Sequence, residues 1–99
     1  MFVLIARYTA PAEQVDRHIE AHKAWIVENF AAGRFVATGR QVPLVGGIIL
    51  ARAAGEDELR AEIARDPFVT NGLAEYEVRE FDVVRTTPEL EGLKALGRP

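Results

Sequence analysis

Two residues of this chain have types and positions that could do chemistry together, His22 and Asp66. His22 sits in a run whose apolar residues Val15, Ile19, Ile26 and Phe30 recur as one face of a helix. At about 100° per residue its ring falls near the middle of that face. A polar ring there needs a hydrogen-bond partner. It is either a core histidine satisfied by a backbone carbonyl or a ring lining a small pocket between helix and sheet. Asp66 stands where a second helix should end, and a carboxylate at that end opposes the helix dipole. It is either a turn aspartate before Pro67 or an acceptor for an imidazole. In the second case the carboxylate would fix the ring's tautomer and strengthen its far nitrogen as a general base.

Other side chains qualify less well. His18 and His22 have the i, i+4 spacing of helical metal ligands, and Asp66 would complete a two-histidine, one-carboxylate set. The order His18-Ile19-Glu20-Ala21-His22 departs from the H-E-x-x-H pattern, however, and His18 falls at the rim of the apolar stripe near Trp25. No metal is therefore expected, and His18 is kept as a substrate-binding candidate. Arg7 and Arg40 close the first and second strands and would either meet an anionic substrate or be solvated. Tyr8 would either donate to a pocket ligand or pack at the core edge. Trp25 reads as packing. Gly46-Gly47 is too short for a phosphate loop and has no helix after it. The chain has no serine and no cysteine, so hydrolase triads, thiolate chemistry and disulfides have no support.

These residues are placed by a simple succession of elements. Phe2 to Tyr8 reads as a strand. Pro11 suits a first helical turn, and a helix should run to about Ala32 with Gly33 as its stop. Arg34 to Val42 and Gly46 to Ala53 read as strands, with Pro43 in the turn between them. Gly55-Glu56-Asp57-Glu58 opens a second helix that should halt at Asp66, because Pro67 disfavours the α conformation before it. Asn71-Gly72 resembles a hairpin turn, but Phe68-Val69 is too short a strand to precede it, so it is read as the loop into a strand from Glu75 to Val84. That strand changes phase between Tyr76-Val78 and Phe81-Val83. A β-bulge near Arg79-Glu80 would explain the change, as would a strand crossing from its own core to a partner's. Thr87-Pro88-Glu89 could cap a short helix carrying Leu90, Leu93 and Leu96. The order β-α-β-β-α-β is the split, ferredoxin-like α+β pattern, with residues 1–84 as the domain and 85–99 as a C-terminal extension.

Ninety-nine residues with 48% hydrophobic and 27% charged content suit one globular domain rather than a disordered chain. The net charge of −3 and the absence of a basic stripe argue against nucleic-acid binding. No run is long enough to span a bilayer, and the short apolar start leading into Arg7 reads as a strand rather than a signal peptide. A cytoplasmic protein is expected. The strands are apolar on both faces, with Phe2, Leu4, Ala6 and Tyr8 opposed to Val3 and Ile5, and Ile48 and Leu50 opposed to Ile49 and Ala51. A sheet wet on one side would alternate with polar residues. The expected remedy is a second copy packed sheet to sheet, or else loops and the C-terminal segment folded over that face.

Several of these segments together resemble the YciI-like (YCII-related) family of the dimeric α+β barrel superfamily. The likeness runs from about Met1 to Val84. It is carried by His22 and its interval to Gly33, continuing into Arg34-Phe35-Val36-Ala37-Thr38-Gly39. It is also carried by Asp66-Pro67-Phe68-Val69-Thr70-Asn71-Gly72, and by the spacing from Gly39 to Gly46-Gly47-Ile48-Ile49-Leu50-Ala51. Arg40 stands where the family often has proline. The resemblance implies a homodimer joined through the sheet faces and a His22–Asp66 pair in a pocket. It further implies cofactor-free proton transfer or elimination on a small ring compound. The expectation is thus a lyase- or isomerase-type enzyme in which His22 takes a proton, Asp66 holds the ring, and Arg7, Tyr8, His18 and Arg40 contact substrate. The alternatives are a non-catalytic ligand-binding or accessory module, and a cofactor-free barrel monooxygenase.

Overall fold

The structure, a computed structural model, describes residues 1–95. Its elements run β1 (Phe2–Tyr8), α1 (Ala12–Asp16), α2 (Ile19–Ala31), β2 (Phe35–Arg40), β3 (Gly47–Ala51), α3 (Glu56–Ile63), α4 (Pro67–Thr70), β4 (Ala74–Glu80) and a 3-10 helix (Pro88–Ala95). The four strands form one antiparallel sheet in the order β2-β3-β1-β4. This is the ferredoxin-like α+β fold expected from the element order.

The core follows from strand alternation. Phe2 and Leu4 of β1 and Ile49 and Ala51 of β3 are buried on one face, where they meet Trp25 of α2 and Leu59 and Ile63 of α3. A smaller cluster joins Val15 of α1 to Phe68, Leu73 and Ala74. The opposite face carries Val3 and Ile5, paired across to Leu50 and Ile48. Ile48 is exposed, and the β4 residues in register with Val3 and Ile5 are Arg79 and Glu77.

Four local expectations change. The first helix is two helices, broken at Arg17-His18, where His18 takes φ −112 and ψ 6. The break lets Val15 serve the small cluster while Trp25 serves the large one. It also rotates the buried face, so that Trp25 and Asn29 are interior and Phe30 is 42% exposed. Asn29 is tolerated there because its amide donates to the Trp25 carbonyl at 3.0 Å and its oxygen accepts from Arg34 Nε at 2.8 Å. β4 ends at Glu80 with an unbroken register against β1, so no bulge forms at Arg79-Glu80; the irregularity lies in β2, between Phe35 and Ala37. The C-terminal helix is of the 3-10 type, and Leu96 lies outside the described residues.

The turn before β3 is the tightest point of the sheet. A Cβ on Gly46 would lie 1.8 Å from the Ala6 carbonyl oxygen, which is backbone and cannot swing aside. Gly46→Ala is expected to cost about 2–3 kcal/mol, read as a lowered urea midpoint. Gly39→Ala, where nothing lies within 4 Å of the added carbon, should stay near wild type.

Candidate active site

The site is built around three consecutive residues, Asp66-Pro67-Phe68. Proline restricts the residue before it, and Asp66 is accordingly extended (φ −62, ψ 124). Pro67 then opens α4 at the position where its missing N–H matters least. Asp66 is therefore not stranded at the C-terminus of a helix, as the sequence suggested. It is the N-cap of α4, and its Oδ1 accepts from the Phe68 N–H at 3.0 Å. The helix dipole favours a carboxylate at this end.

Asp66 is fully buried, which requires its remaining lone pairs to be engaged. The Tyr76 hydroxyl donates to Oδ2 at 2.6 Å, and His22 Nδ1 lies 2.7 Å from Oδ1. An ionised carboxylate only accepts, so three donors on two oxygens satisfy it and assign the ring proton to Nδ1. The His22 ring is fixed a second time by stacking on Phe68, with centroids 4.0 Å apart and planes 5° from parallel. Its side chain keeps 20% exposure, and no hydrogen bond among the described residues engages Nε2.

Burial, and then the Asp66 charge, hold the Tyr76 phenol far above its ordinary value of 10.0. The folded protein thus favours the neutral phenol. The associated stability is complete below pH 10.0 and is lost as pH rises beyond it. Absorbance at 295 nm is expected to show Tyr76 un-ionised until the protein unfolds, and Tyr76→Phe should flatten the alkaline fall in urea stability. A phenol titrating near its ordinary value in the native state would contradict this.

His22 faces a cavity of about 1150 Å³ between the helices and the inner face of the sheet. Arg7, Tyr8 and Arg40 line it as well, as do Tyr76 and Phe68. Arg7 is tied to exposed Glu75 at 2.6 Å. His18 does not line the cavity. It sits at the helix break, outside the arrangement that the i, i+4 spacing assumed. Among the described residues no group of three or more His, Asp or Glu is placed to hold a metal ion. Tyr8 is partly buried and packs edge-on against Phe68 at 5.9 Å; burial raises its phenol, while Arg40 draws it down.

Sequence reasoning missed Tyr76 and the part played by Phe68. Phe68 had a legible signal, since an Asp-Pro-x cap brings the third residue's N–H and side chain back over the aspartate. Tyr76 had none, because only the pairing of β1 with β4 carries its hydroxyl to Asp66.

Among curated proteins, none matches the chain. Among solved structures, the fold is similar to 5-chloro-2-hydroxyhydroquinone dehydrochlorinase (TftG) from Burkholderia phenoliruptrix AC1100, in its complex with 2,5-dihydroxybenzoquinone. The TM-score is 0.67 at 24% identity, over 82% of this chain and 93% of that one. The model of the YCII-related domain matches residues 1–82. With that span covering both the His22 helix and the Asp66 cap, the chain belongs to the YCII-related domain family.

Proposed function

We propose that the protein is a small cofactor-independent enzyme of the lyase or isomerase type, with His22 as its general base. The observation that carries this reading is the buried Asp66 carboxylate 2.7 Å from His22 Nδ1. With the ring proton held on Nδ1, the Nε2 lone pair can take a proton from a substrate O–H or acidic C–H. Asp66 then stabilises the imidazolium, and the proton returns to product or solvent. The Tyr76 hydroxyl keeps the carboxylate in place. Elimination of hydrogen chloride from a hydroxylated ring, the reaction named for the structural relative, is one process of this kind. A proton and a chloride leave, and no oxidant is consumed.

The test is incubation of the purified protein with 5-chloro-2-hydroxyhydroquinone and a chelator, with chloride release followed over time. Release that persists without added metal or cofactor, and that His22→Asn abolishes, is the expected result. Turnover undiminished by His22→Asn would end the assignment of the base.

The same reading makes the enzyme a homodimer through the outer sheet face, where Val3, Ile5, Ile48 and Leu50 form an apolar field on adjacent strands. Ile48 lies near its centre, paired to Ile5 on one side and to Gly39 on the other. Ile48→Lys would set a charge in the middle of the interface, and sedimentation should shift from dimer to monomer. A wild-type protein that sediments as a single subunit would remove this part of the proposal.

A further inference from the structure

The ionised side chains around the cavity are Arg7, Lys23, Arg40 and Asp16, three cations to one anion in a chain of net charge −3. Two of the cations are already engaged, Arg7 with Glu75 at 2.6 Å and Lys23 with Glu20 at 3.6 Å. The Arg40 guanidinium has no hydrogen-bond or ion-pair partner among the described residues, and neither does the Tyr8 hydroxyl. The two groups are close enough that the Arg40 charge acts on the Tyr8 phenol, more strongly than Asp16 does in the opposite sense.

The wall between them is lined by small residues of β3 and β1. Arg40 lies across from Gly47, and Ala6 lies across from Tyr76, so the smallest residues of these strands form the cavity floor. His22 and Ile26 of α2 line the same space. Tyr8 and His22 both rest on Phe68, one edge-on and one face-on. A single small ring in the cavity would therefore meet both.

We infer that Arg40 and the Tyr8 hydroxyl form an oxyanion subsite, and that the ligand is a small planar ring carrying an anionic oxygen, phenolate or carboxylate. A guanidinium supplies a charged fork and a phenol supplies one further donor, a set that suits one anionic oxygen or a carboxylate pair. The inference rests on the cavity being the substrate site proposed above, and it adds the charge and the orientation of the ligand. The anionic oxygen sits at Arg40, and the proton to be removed sits at His22.

Calorimetric titration of the whole protein with 4-nitrophenolate, benzoate and neutral 4-nitroanisole tests it without any need for turnover. Either anion should bind at least about tenfold more tightly than the neutral ether, and Arg40→Gln should erase about that factor. Arg40→Lys should retain part of the preference, and Tyr8→Phe should weaken 4-nitrophenolate severalfold. The tighter of the two anions identifies phenolate or carboxylate as the natural group. Equal affinity for charged and neutral probes, or an anion preference intact in Arg40→Gln, overturns the subsite. Because His22→Asn is expected to keep the preference while losing turnover, failure of the base and failure of the subsite give different results.

Discussion

His22→Asn is expected to lower turnover of any substrate the wild-type protein accepts by about two to four orders of magnitude, the usual contribution of a positioned general base. Asparagine is the informative replacement. Its Nδ2 occupies nearly the place of the imidazole Nδ1, so it can still donate to Asp66 Oδ1, which in the native protein is 2.7 Å from that nitrogen. The buried carboxylate thus keeps its third donor. What disappears is Nε2, together with the ring stacked on Phe68 at 4.0 Å. Loss of the stack should cost about 1 kcal/mol of stability, small beside the effect on rate. The KM should change little, since Arg40 and Tyr8 hold the substrate's oxygen in this scheme. A variant that folds normally and turns over at wild-type rate would show that the pair orders the cavity without moving a proton.

The two residues of this pair are marked by the sequence, though not for the reasons the structure supplies, and their pairing is implied by the family resemblance rather than by their local pattern. On sequence, His22 sits near the middle of a continuous apolar stripe. In the structure that stripe is broken at Arg17-His18, and the buried line passes through Trp25 and Asn29 instead. The ring still faces inward, because His22 lies one turn before Trp25 on the same side of α2. On sequence, Asp66 is a carboxylate ill placed at the end of a helix. It proved well placed at the start of the next one, since α3 already stops at Ile63 and Pro67 begins α4 with Asp66 as its N-cap. Local rules identified each residue as unusual. Whether the two meet is a long-range fact, spanning 44 positions, that only the packing of α2 against α4 decides.

The sheet was more legible than the helices, because a period of two survives errors at strand ends. The first strand lies where expected and only the end of β4 differs by more than two residues, while Phe2, Leu4, Ile49 and Ala51 share one face and Val3, Ile5, Ile48 and Leu50 the other. Tyr76 shows where such reading ends. Alternation puts it on one face with Val78, and nothing local distinguishes a core tyrosine from one whose hydroxyl holds a buried carboxylate at 2.6 Å.

Asp66 should separate structure from catalysis by the choice of replacement. Asp66→Ala leaves the Phe68 N–H and the Tyr76 hydroxyl buried without an acceptor, and frees His22 Nδ1. Each orphaned buried donor costs about 1–3 kcal/mol, while the partly exposed imidazole can turn toward water, so a total of about 3–5 kcal/mol is expected. A domain of this size has about 5–15 kcal/mol in all, which would make the alanine variant marginal at 37 °C. Asp66→Asn behaves differently, because the two donors that converge on Oδ1 can be met by one amide oxygen. The amide nitrogen then takes the Oδ2 position, and the Tyr76 hydroxyl rotates to accept from it. The Tyr76 proton then has no acceptor among the described residues, so the cost should be about 1–3 kcal/mol, below that of the alanine variant, read from urea denaturation. The negative charge is nevertheless gone, and the imidazolium formed on proton transfer loses its counter-ion. Turnover should fall by about one to two orders of magnitude with the histidine tautomer unchanged. An asparagine variant as unstable as alanine would mean that the rotated Tyr76 hydrogen bond does not form. One that is stable and fully active would mean that the carboxylate caps α4 and does nothing for the base.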